Sequence, residues 1–376
     1  MENYYNQGGC PIHGHMQLAK KPNVPKSGID QEQFNTIAKT IKAETLIQPD
    51  LFNFTRNNLN AAVQKVYGNP KYDTPEFAFM QKLLRNSARF AGYKTAWQTE
   101  HIKQAVKEEQ LAAINKSYNH NYMQAEYVHA VGSARAAKNW QNYEQDADLY
   151  PALEYMPSTA ATPRSEHMKF YGVIKDLTDP FWDTWMPPSD WGCQCSVQQR
   201  RSSKGSKPEP EEVTLPPKAM RNNPGKTAEL FTNGHPMIGK LAKEDRAVID
   251  REYGRLERKA IRNEAIESTS GLIDKQLLLG GNKVGFTRSG LQKAINQPHK
   301  NDIIKNTFIT QLDEIFKNAK YVKSIDPVPK RKQTLSKTHI YSFDVMGEKN
   351  YILIWEYRGT GKMIFHSIVD KIKSSN

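Results

Sequence analysis

Apolar residues recur at helical spacing through much of the first half of the chain. Within residues 77–91, five apolar side chains lie three or four positions apart and form one face, namely Phe79, Met80, Leu83, Leu84 and Ala88. This period is typical of an amphipathic helix. Similar patterns predict helices over residues 97–118 and 123–143, and a charged helix over residues 240–267.

The periodicity is lost after Tyr150. Prolines recur and aromatic residues cluster, among them Phe181, Trp182, Trp185 and Trp191. Large aromatic side chains bury much apolar surface, so the pattern favours an irregular, tightly packed segment over a disordered one. Residues 200–218 are low in complexity and predict a linker or exposed loop.

The C-terminal pattern changes again after Gly280, Gly281 and Gly285. Two helices are predicted, from Thr287 or Ser289 to Pro298 and over residues 301–319. Alternating strands follow at 339–345, 351–357 and 363–369, with turns at Gly347-Glu348 and at residues 359–361. Two helices on a three-stranded antiparallel sheet form a small α+β domain, and the whole chain is predicted to be α+β.

These changes of pattern predict four segments. Residues 1–32 are a mobile tail, residues 33–236 a helical domain with the irregular Pro- and Trp-rich segment, residues 237–280 a charged helical connector, and residues 281–376 the α+β domain. A chain of 376 residues is long enough for two domains that each bury a core.

Composition narrows the functional classes. The formal net charge of +13 favours a polyanionic partner such as nucleic acid, although a basic protein that is merely soluble is the alternative. No apolar run approaches the roughly 20 residues that cross a bilayer, and the N-terminus lacks a signal-peptide core. We therefore expect no membrane association. Three cysteines are too few for a disulfide framework and indicate a reducing compartment.

The segment 162–197 carries the most specific pattern in the chain. It contains Arg164 and His167, Gly172, the run Asp179–Trp182, the pair Pro187 and Pro188, and finally Cys193 and Cys195. In this order and spacing the segment resembles the phage Mu F-like minor head proteins, also called head-morphogenesis proteins. Gln194 stands where that family usually has Arg. The resemblance covers about residues 40–236 and implies a virion or host-cytoplasmic protein that contacts portal and capsid proteins near packaged DNA.

The same segment offers soft metal ligands. Cys193, Cys195 and His167 could bind zinc, with Asp190, Glu166 or His129 as a possible fourth ligand. The alternative is that both thiols are small buried apolar groups and that His167 hydrogen-bonds the loop backbone. A second group of potential ligands, Cys10, His13 and His15, lies in the predicted tail and is interpreted as incidental.

The C-terminal region is the most basic part of the chain. Residues 285–376 hold sixteen Lys or Arg and eight Asp or Glu. The segments FTRSGLQKAINQPHK, LDEIFKNAKYV and HIYSFDV with the two strands after it resemble the phage-borne branch of the barnase–EndoU–colicin–RelE group of ribonucleases. That resemblance implies RNA cleavage without a metal or other cofactor.

Such cleavage needs a base, an acid and a cation for the phosphate. The candidates for proton transfer are His299, His339 and His366, because an unperturbed histidine titrates near neutral pH. Tyr341 and Ser367 are candidates for orienting the ribose or phosphate. The candidate phosphate-binding residues are Lys293, Lys300, Arg358 and Thr360. Convergence of the three histidines on one sheet face would form a site; otherwise they are ordinary surface residues.

Three functions remain open at this point. The first is a phage head protein with a ribonuclease-like C-terminal domain. The second is a purely structural head-assembly protein whose basic domain binds nucleic acid without cleaving it. The third, an exported toxin, fits less well because no export signal is visible.

Overall fold

The computed structural model describes residues 28–372 and confirms the predicted α+β class. Residues 1–27, which include most of the predicted tail and the group Cys10, His13 and His15, lie outside the described part. The end of the predicted tail is packed, since Ile29 is buried and the Asp30 carboxylate accepts a hydrogen bond from Gln33 N at the start of the first helix. Within the described part, no helix is long and apolar enough to span a membrane.

Five helices form most of the N-terminal region. They are α1 Gln31–Lys39, α2 Pro49–Tyr67, α3 Pro75–Gln104, α4 Glu108–Asn115 and α5 Met123–Gln145. The predicted helices 77–91 and 123–143 lie within α3 and α5. The predicted helix 97–118 is wrong as a single element, because α3 ends at Gln104 and a π-helical turn, Lys116–Tyr122, follows α4.

The Pro- and Trp-rich segment contains more regular structure than its sequence indicates. Its elements are β1 Ala152–Met156, α6 Ser165–Met168, β2 Ile174–Asp176, α7 Phe181–Trp185 and β3 Ser196–Arg200. The strands form an antiparallel sheet in the order β2-β1-β3. Strands of three to five residues are too short to show a clear alternation, which explains why the sequence did not predict them.

Most aromatic residues of this segment share one core, while Trp191 packs against His129 and His235, so the segment is tightly packed as predicted. Trp182, Phe170 and Tyr155 are buried beside Trp140 of α5. Residues 201–217 have no regular helix or strand. The chain continues through a 3₁₀ turn, Lys218–Met220, and the helices α8 Pro224–Thr227, α9 Pro236–Gly239 and α10 Lys243–Ser270.

Contacts divide the chain into two compact units. The first unit contains the residues up to Gly68 and Lys82–Gly254, and the second contains Asn69–Gln81 and the residues from Arg255. The second unit therefore takes in residues earlier than 281, because Tyr72, Phe77 and Ala265 are part of its core.

Besides the ends of α3 and α10, the described part of the second unit contains three complete α-helices and one sheet. After α10 come β4 Gln276–Leu279, β5 Asn282–Gly285, α11 Arg288–Asn296, α12 Asp302–Phe308, α13 Leu312–Asn318, β6 Lys320–Ile325, β7 Leu335–Val345, β8 Glu348–Tyr357 and β9 Met363–Val369. The helix predicted over 301–319 is interrupted by a 3₁₀ turn, Ile309–Gln311. The side chain of Gln311 accepts a hydrogen bond from Tyr72 N at this interruption.

The sheet of the second unit has six strands, in the order β4-β5-β9-β8-β7-β6. The predicted meander forms β7, β8 and β9, but the prediction of three strands missed β4, β5 and β6. The β5–β9 pair is parallel, so the sheet is not wholly antiparallel as expected. Strand β6 is largely exposed at the sheet edge, and therefore lacks the apolar alternation that reveals a half-buried strand.

The two sheet faces of the second unit differ in what they contact. Ile352, Ile354 and Phe365 belong to the core that contains Leu291, Phe308, Leu312 and Phe316 of the helical layer. Side chains alternate along a strand, so Leu353 and Trp355 point to the opposite face. The turn between β7 and β8 is at Met346 and Gly347, both with positive φ, one residue earlier than predicted.

Candidate metal centre and basic sheet surface

The first candidate site is built by α6 and the residues before β3. The Nδ1 atom of His167 lies 3.6 Å from the Sγ of Cys193 and 3.7 Å from the Sγ of Cys195. The three ligand atoms lie within 4.8 Å of one another. His167 is buried and both cysteines are half-buried free thiols. The structure thus brings the three predicted ligands together.

The loop from Asp190 to Cys195, here named the cysteine loop, is held by hydrogen bonds. The guanidinium of Arg164 donates to the carbonyl of Trp191 at 2.7 Å and pairs with the Asp190 carboxylate at 3.2 Å. Cys193 N donates to Asp190 O, and Thr159 Oγ1 donates to Gln194 Oε1. These contacts fix the loop against α6, which carries His167.

The candidates for a fourth ligand have other roles. Asp190 pairs with Arg164, and Glu166 is exposed on α6. His129 is buried and donates from Nε2 to the carbonyl of Leu230 at 3.0 Å. The fourth ligand suggested by the sequence is therefore not supplied by these three side chains as they stand.

The two thiols have different electrostatic surroundings. The hydrogen bond from Cys193, together with the hydroxyls of Tyr155, Tyr171 and Ser158, lowers the pKa of Cys195 to about 7, although burial opposes this shift. The neighbouring Cys195 and burial raise the pKa of Cys193. One of the two thiols is therefore much more easily ionised than the other.

A cleft of about 530 Å³ opens beside the cysteine loop. Cys193 and Cys195 line it, together with Lys65, Arg135 and Asn139. The thiols are consequently reachable from a cleft that also carries two basic side chains.

In the second unit, the predicted catalytic histidines do not converge. The Nε2 atom of His299 lies 2.9 Å from Asn350 Oδ1, near the start of β8. His339 lies within hydrogen-bond distance of Glu356, near the end of β8. Six residues of strand separate those two partners, or about 20 Å. His366 lies on the opposite face of the sheet, so a single site containing all three histidines is not formed.

His339 belongs to a chain of hydrogen bonds on the helical face. Its Nε2 is 2.7 Å from Glu356 Oε2 and its Nδ1 is 2.7 Å from Ser324 Oγ, which is 2.8 Å from the hydroxyl of Tyr321. The hydrogen bond from His339 lowers the pKa of Glu356. The sequence analysis missed Glu356, Ser324 and Tyr321. The register of the β7–β8 hairpin could have indicated Glu356. This residue lies two positions along β8 from the cross-strand neighbour of His339, and therefore on the same face of the sheet.

His366 occupies a β-bulge. Ser367 pairs with Leu353 and Phe365 pairs with Ile354, so His366 is the extra residue between them. Its ring stacks on Trp355 with centroids 3.5 Å apart, and the guanidinium of Arg331 lies 4.1 Å from the centroid of the same indole. Burial, with the charges of Arg331 and Lys293, lowers the pKa of His366 to about 4. We name Lys293, Arg331, Trp355 and His366 the basic sheet surface.

The other predicted residues lie apart from this surface or are buried. Tyr341 packs in the core, and Ser367 is only 2% exposed. Lys300 pairs with Glu348, Arg358 donates to the carbonyl of Lys332, and Thr360 Oγ1 accepts from Lys362 N in an exposed turn. Of the predicted phosphate-binding residues, Lys293 alone belongs to the basic sheet surface.

Comparison with known proteins finds one family model and two curated relatives that match parts of the chain. Residues 243–357 match the family model described as Large polyvalent protein-associated domain 3. The chain is similar to the Mu-like prophage FluMu F protein of Haemophilus influenzae, with 32% identity over 71 residues, which is 19% of this chain and 16% of that protein. It is also similar to the Putative capsid assembly protein F of Escherichia phage Mu, with 32% identity over 66 residues, 18% of this chain and 15% of that protein.

These similarities support a phage head-morphogenesis-like protein at the level of family. The matched segments span about a sixth of the length of the two curated relatives. No solved structure matches the chain.

Proposed function

We propose that this chain takes part in phage head assembly, as its similarity to F proteins suggests. The observation that carries the proposal is the similarity to two phage or prophage F proteins, one of which is described as a putative capsid assembly protein. The motif-bearing segment supports it, because most of its aromatic residues form a shared core with α5 and not a loose linker. Portal and capsid proteins are the proposed partners.

The experiment uses the phage or prophage that encodes the chain. Its gene is deleted and complemented with wild type or with Trp182→Ala, a substitution that removes a fully buried side chain from this core. We expect electron microscopy to show few DNA-filled heads in the deletion strain, and also in the deletion strain that is complemented with Trp182→Ala. Lys204→Ala, in the exposed segment, is the control that should restore normal heads. Normal heads from the deletion strain would overturn the proposal.

We also propose that the second unit binds nucleic acid through the basic sheet surface. Trp355 and His366 offer partly exposed rings, and Arg331 and Lys293 add positive charge beside them. Aromatic and guanidinium planes stack on unpaired bases, while basic side chains contact phosphates. A single-stranded nucleic acid is the ligand that this combination suits best.

We propose RNA cleavage separately, because His339 and Glu356 lie on the sheet face opposite the basic sheet surface. The observation that favours it is the pairing of His339 with Glu356, because a histidine and a carboxylate are a possible acid and base. His366 is a poor proton donor near neutral pH, since its lowered pKa keeps it neutral there. Any cleavage would therefore depend on His339 and Glu356 more than on His366.

Binding and cleavage are separated by using the full chain with labelled RNA in EDTA. For binding, Arg331→Ala and Trp355→Ala should weaken affinity, whereas Arg251→Ala, an exposed arginine of the first unit, should not. For cleavage, His339→Ala and Glu356→Gln should abolish product formation but leave binding. If RNA stays intact with every wild-type preparation, the cleavage proposal is rejected. If wild type, Arg331→Ala, Trp355→Ala and Arg251→Ala bind RNA with equal affinity, the proposed binding surface is rejected.

A further inference from the structure

The two sulfur atoms of the cysteine loop are almost equally distant from one imidazole nitrogen. The separations are 3.6 Å for Cys193 and 3.7 Å for Cys195, both to Nδ1 of His167. A neutral ring nitrogen has either one proton or one lone pair, so it can form a good hydrogen bond with one of the thiols only. A hydrogen bond explains the symmetric arrangement only if one N–H is shared between both sulfurs as a bifurcated bond.

A tetrahedral metal ion also explains it. Zinc binds sulfur at about 2.3 Å and imidazole nitrogen at about 2.0–2.1 Å, so the sulfur–nitrogen edge of the tetrahedron is about 3.6 Å. The two observed separations have this length. Two of the three separations between ligand atoms thus have the length that a bound zinc ion requires, and all three atoms lie within 4.8 Å of one another.

The surrounding contacts hold the ligands in place. Arg164 binds both Asp190 and the carbonyl of Trp191, which fixes the start of the cysteine loop. After Cys195 the chain enters β3, where Ser196 pairs with Met156 of β1. A site carried between a helix and a strand needs little reorganisation when its ligand binds.

Within the described part of the chain, these three side chains would fill three of the four positions of a tetrahedral site. Both cysteines line the cleft, which Arg135 and Lys65 also line. Zinc sites with three protein ligands keep the fourth position for water or another ligand, whereas structural sites are closed by four. The cleft is therefore the direction from which a fourth ligand reaches the metal.

We propose that His167, Cys193 and Cys195 bind one Zn²⁺ ion through Nδ1 and two thiolates, with a fourth position that is open to the cleft. Both thiols lose their protons to solvent on binding, so that two sulfur–zinc bonds replace two sulfur–hydrogen bonds. This site does not depend on the proposed role in head assembly. Either proposal can fail without the other.

Zinc stoichiometry tests the ligand set. Metal-free full-length protein is titrated with Zn²⁺ against a chromophoric chelator, and we expect one zinc ion per chain. Cys193→Ser and Cys195→Ser should each weaken binding by about tenfold or more, because each removes a thiolate ligand. Cys10→Ser is the matched control and should bind zinc as wild type does. Absence of zinc binding, or loss in Cys10→Ser alone, would overturn the proposal.

Alkylation of the wild-type protein provides a measurement that needs no variant to fold. Iodoacetamide modification of each cysteine is followed by mass spectrometry with and without Zn²⁺. Zinc should protect Cys193 and Cys195 and leave the rate at Cys10 unchanged. Equal rates at the two loop cysteines with and without zinc would contradict coordination by their sulfurs.

Cobalt substitution tests the open position. Co²⁺ at the site should show the absorption of a tetrahedral thiolate complex, and added imidazole or 2-mercaptoethanol should change that spectrum by taking the fourth position. A tetrahedral spectrum that neither ligand alters would show a closed site and would overturn this part of the proposal.

Discussion

The imidazole of His366 lies flat on the indole of Trp355, with the ring centroids 3.5 Å apart and the planes 18° from parallel. His366 is the extra residue of a β-bulge in β9, and its side chain lies on the sheet face that carries Trp355. The contact removes much of the histidine ring from water.

This stacking predicts the titration of His366. Burial is the largest cause of its pKa of about 4, so Trp355→Leu should raise that pKa toward the ordinary value of about 6.5 by about one unit or more. Histidine proton shifts measured by NMR against pH would show the change. His339, on the other face, is the internal control. An unchanged titration of His366 would mean that Trp355 does not shield it.

The buried ion pair of the first unit predicts a large effect on stability. Lys94 Nζ lies 2.5 Å from Glu126 Oε2, and both side chains are 0% exposed. Burial lowers the pKa of Lys94 and raises that of Glu126, and their mutual attraction opposes both shifts. Lys94→Met should reduce the free energy of unfolding by about 3–5 kcal/mol, because it leaves a buried carboxyl group without its partner.

Urea denaturation measures this loss, and a double variant tests its cause. Lys94→Met combined with Glu126→Leu removes both charges and should recover most of the stability. If the double variant is as unstable as the sum of the two single variants, the ion pair itself is not the origin of the loss.

Two buried histidines predict acid sensitivity. Burial lowers the pKa of His129 to about 4 and that of His235 to about 3. The unfolded chain binds protons below about pH 6.5 whereas the folded chain does not, so stability should fall as the pH drops from 6.5 to 4. For His129 the loss is on the order of 3 kcal/mol.

The measurement is the free energy of unfolding in urea between pH 7.5 and about pH 4. His129→Gln removes one of the titrating groups and should make the dependence on pH shallower. A variant with the wild-type slope would show that other groups control acid sensitivity.

A buried lysine caps the end of α11. The ammonium of Lys305 donates to the carbonyls of Ile295 and Gln297 at 2.8 Å and 2.6 Å. Lys305→Met leaves both carbonyls without this donor and should cost about 1–3 kcal/mol in thermal or urea unfolding. Lys317→Met, at an exposed position of α13, is the matched control and should change stability little. Equal effects of the two substitutions would contradict the capping role.

Much of the fold could be predicted because several elements carry a strong local pattern. The stripe of Met80, Leu83 and Leu84 indicated α3, and the alternation from His339 to Val345 indicated β7. Strand β1, with five residues, and the exposed edge strand β6 carry no such pattern. Strand β1 is too short and β6 is too exposed to show a period of apolar residues, so local periodicity could not reveal them.

The sequence predicted the residues of one candidate site more completely than those of the other. Cys193, Cys195 and His167 were predicted as a group, since two of them are adjacent along one loop and the third precedes it by a short segment. The hypothesis that the three histidines of the second unit converge on one sheet face does not match the structure, which separates them, because their positions depend on strand register. The motif of His167, Cys193 and Cys195 lies within one continuous segment of the sequence. The positions of the three histidines in the second unit depend on several strands instead.

Sequence alone was enough to predict the α+β class, the basic character of the C-terminal region and a set of candidate ligands for a soft metal. These properties follow from residue type and local spacing. Only the tertiary structure decided that Trp355 meets both His366 and Arg331, and that His339 meets Glu356 on the other face. The physical reason is that a one-residue shift in strand register moves a side chain to the opposite face of the sheet, and register is set by contacts across the whole fold.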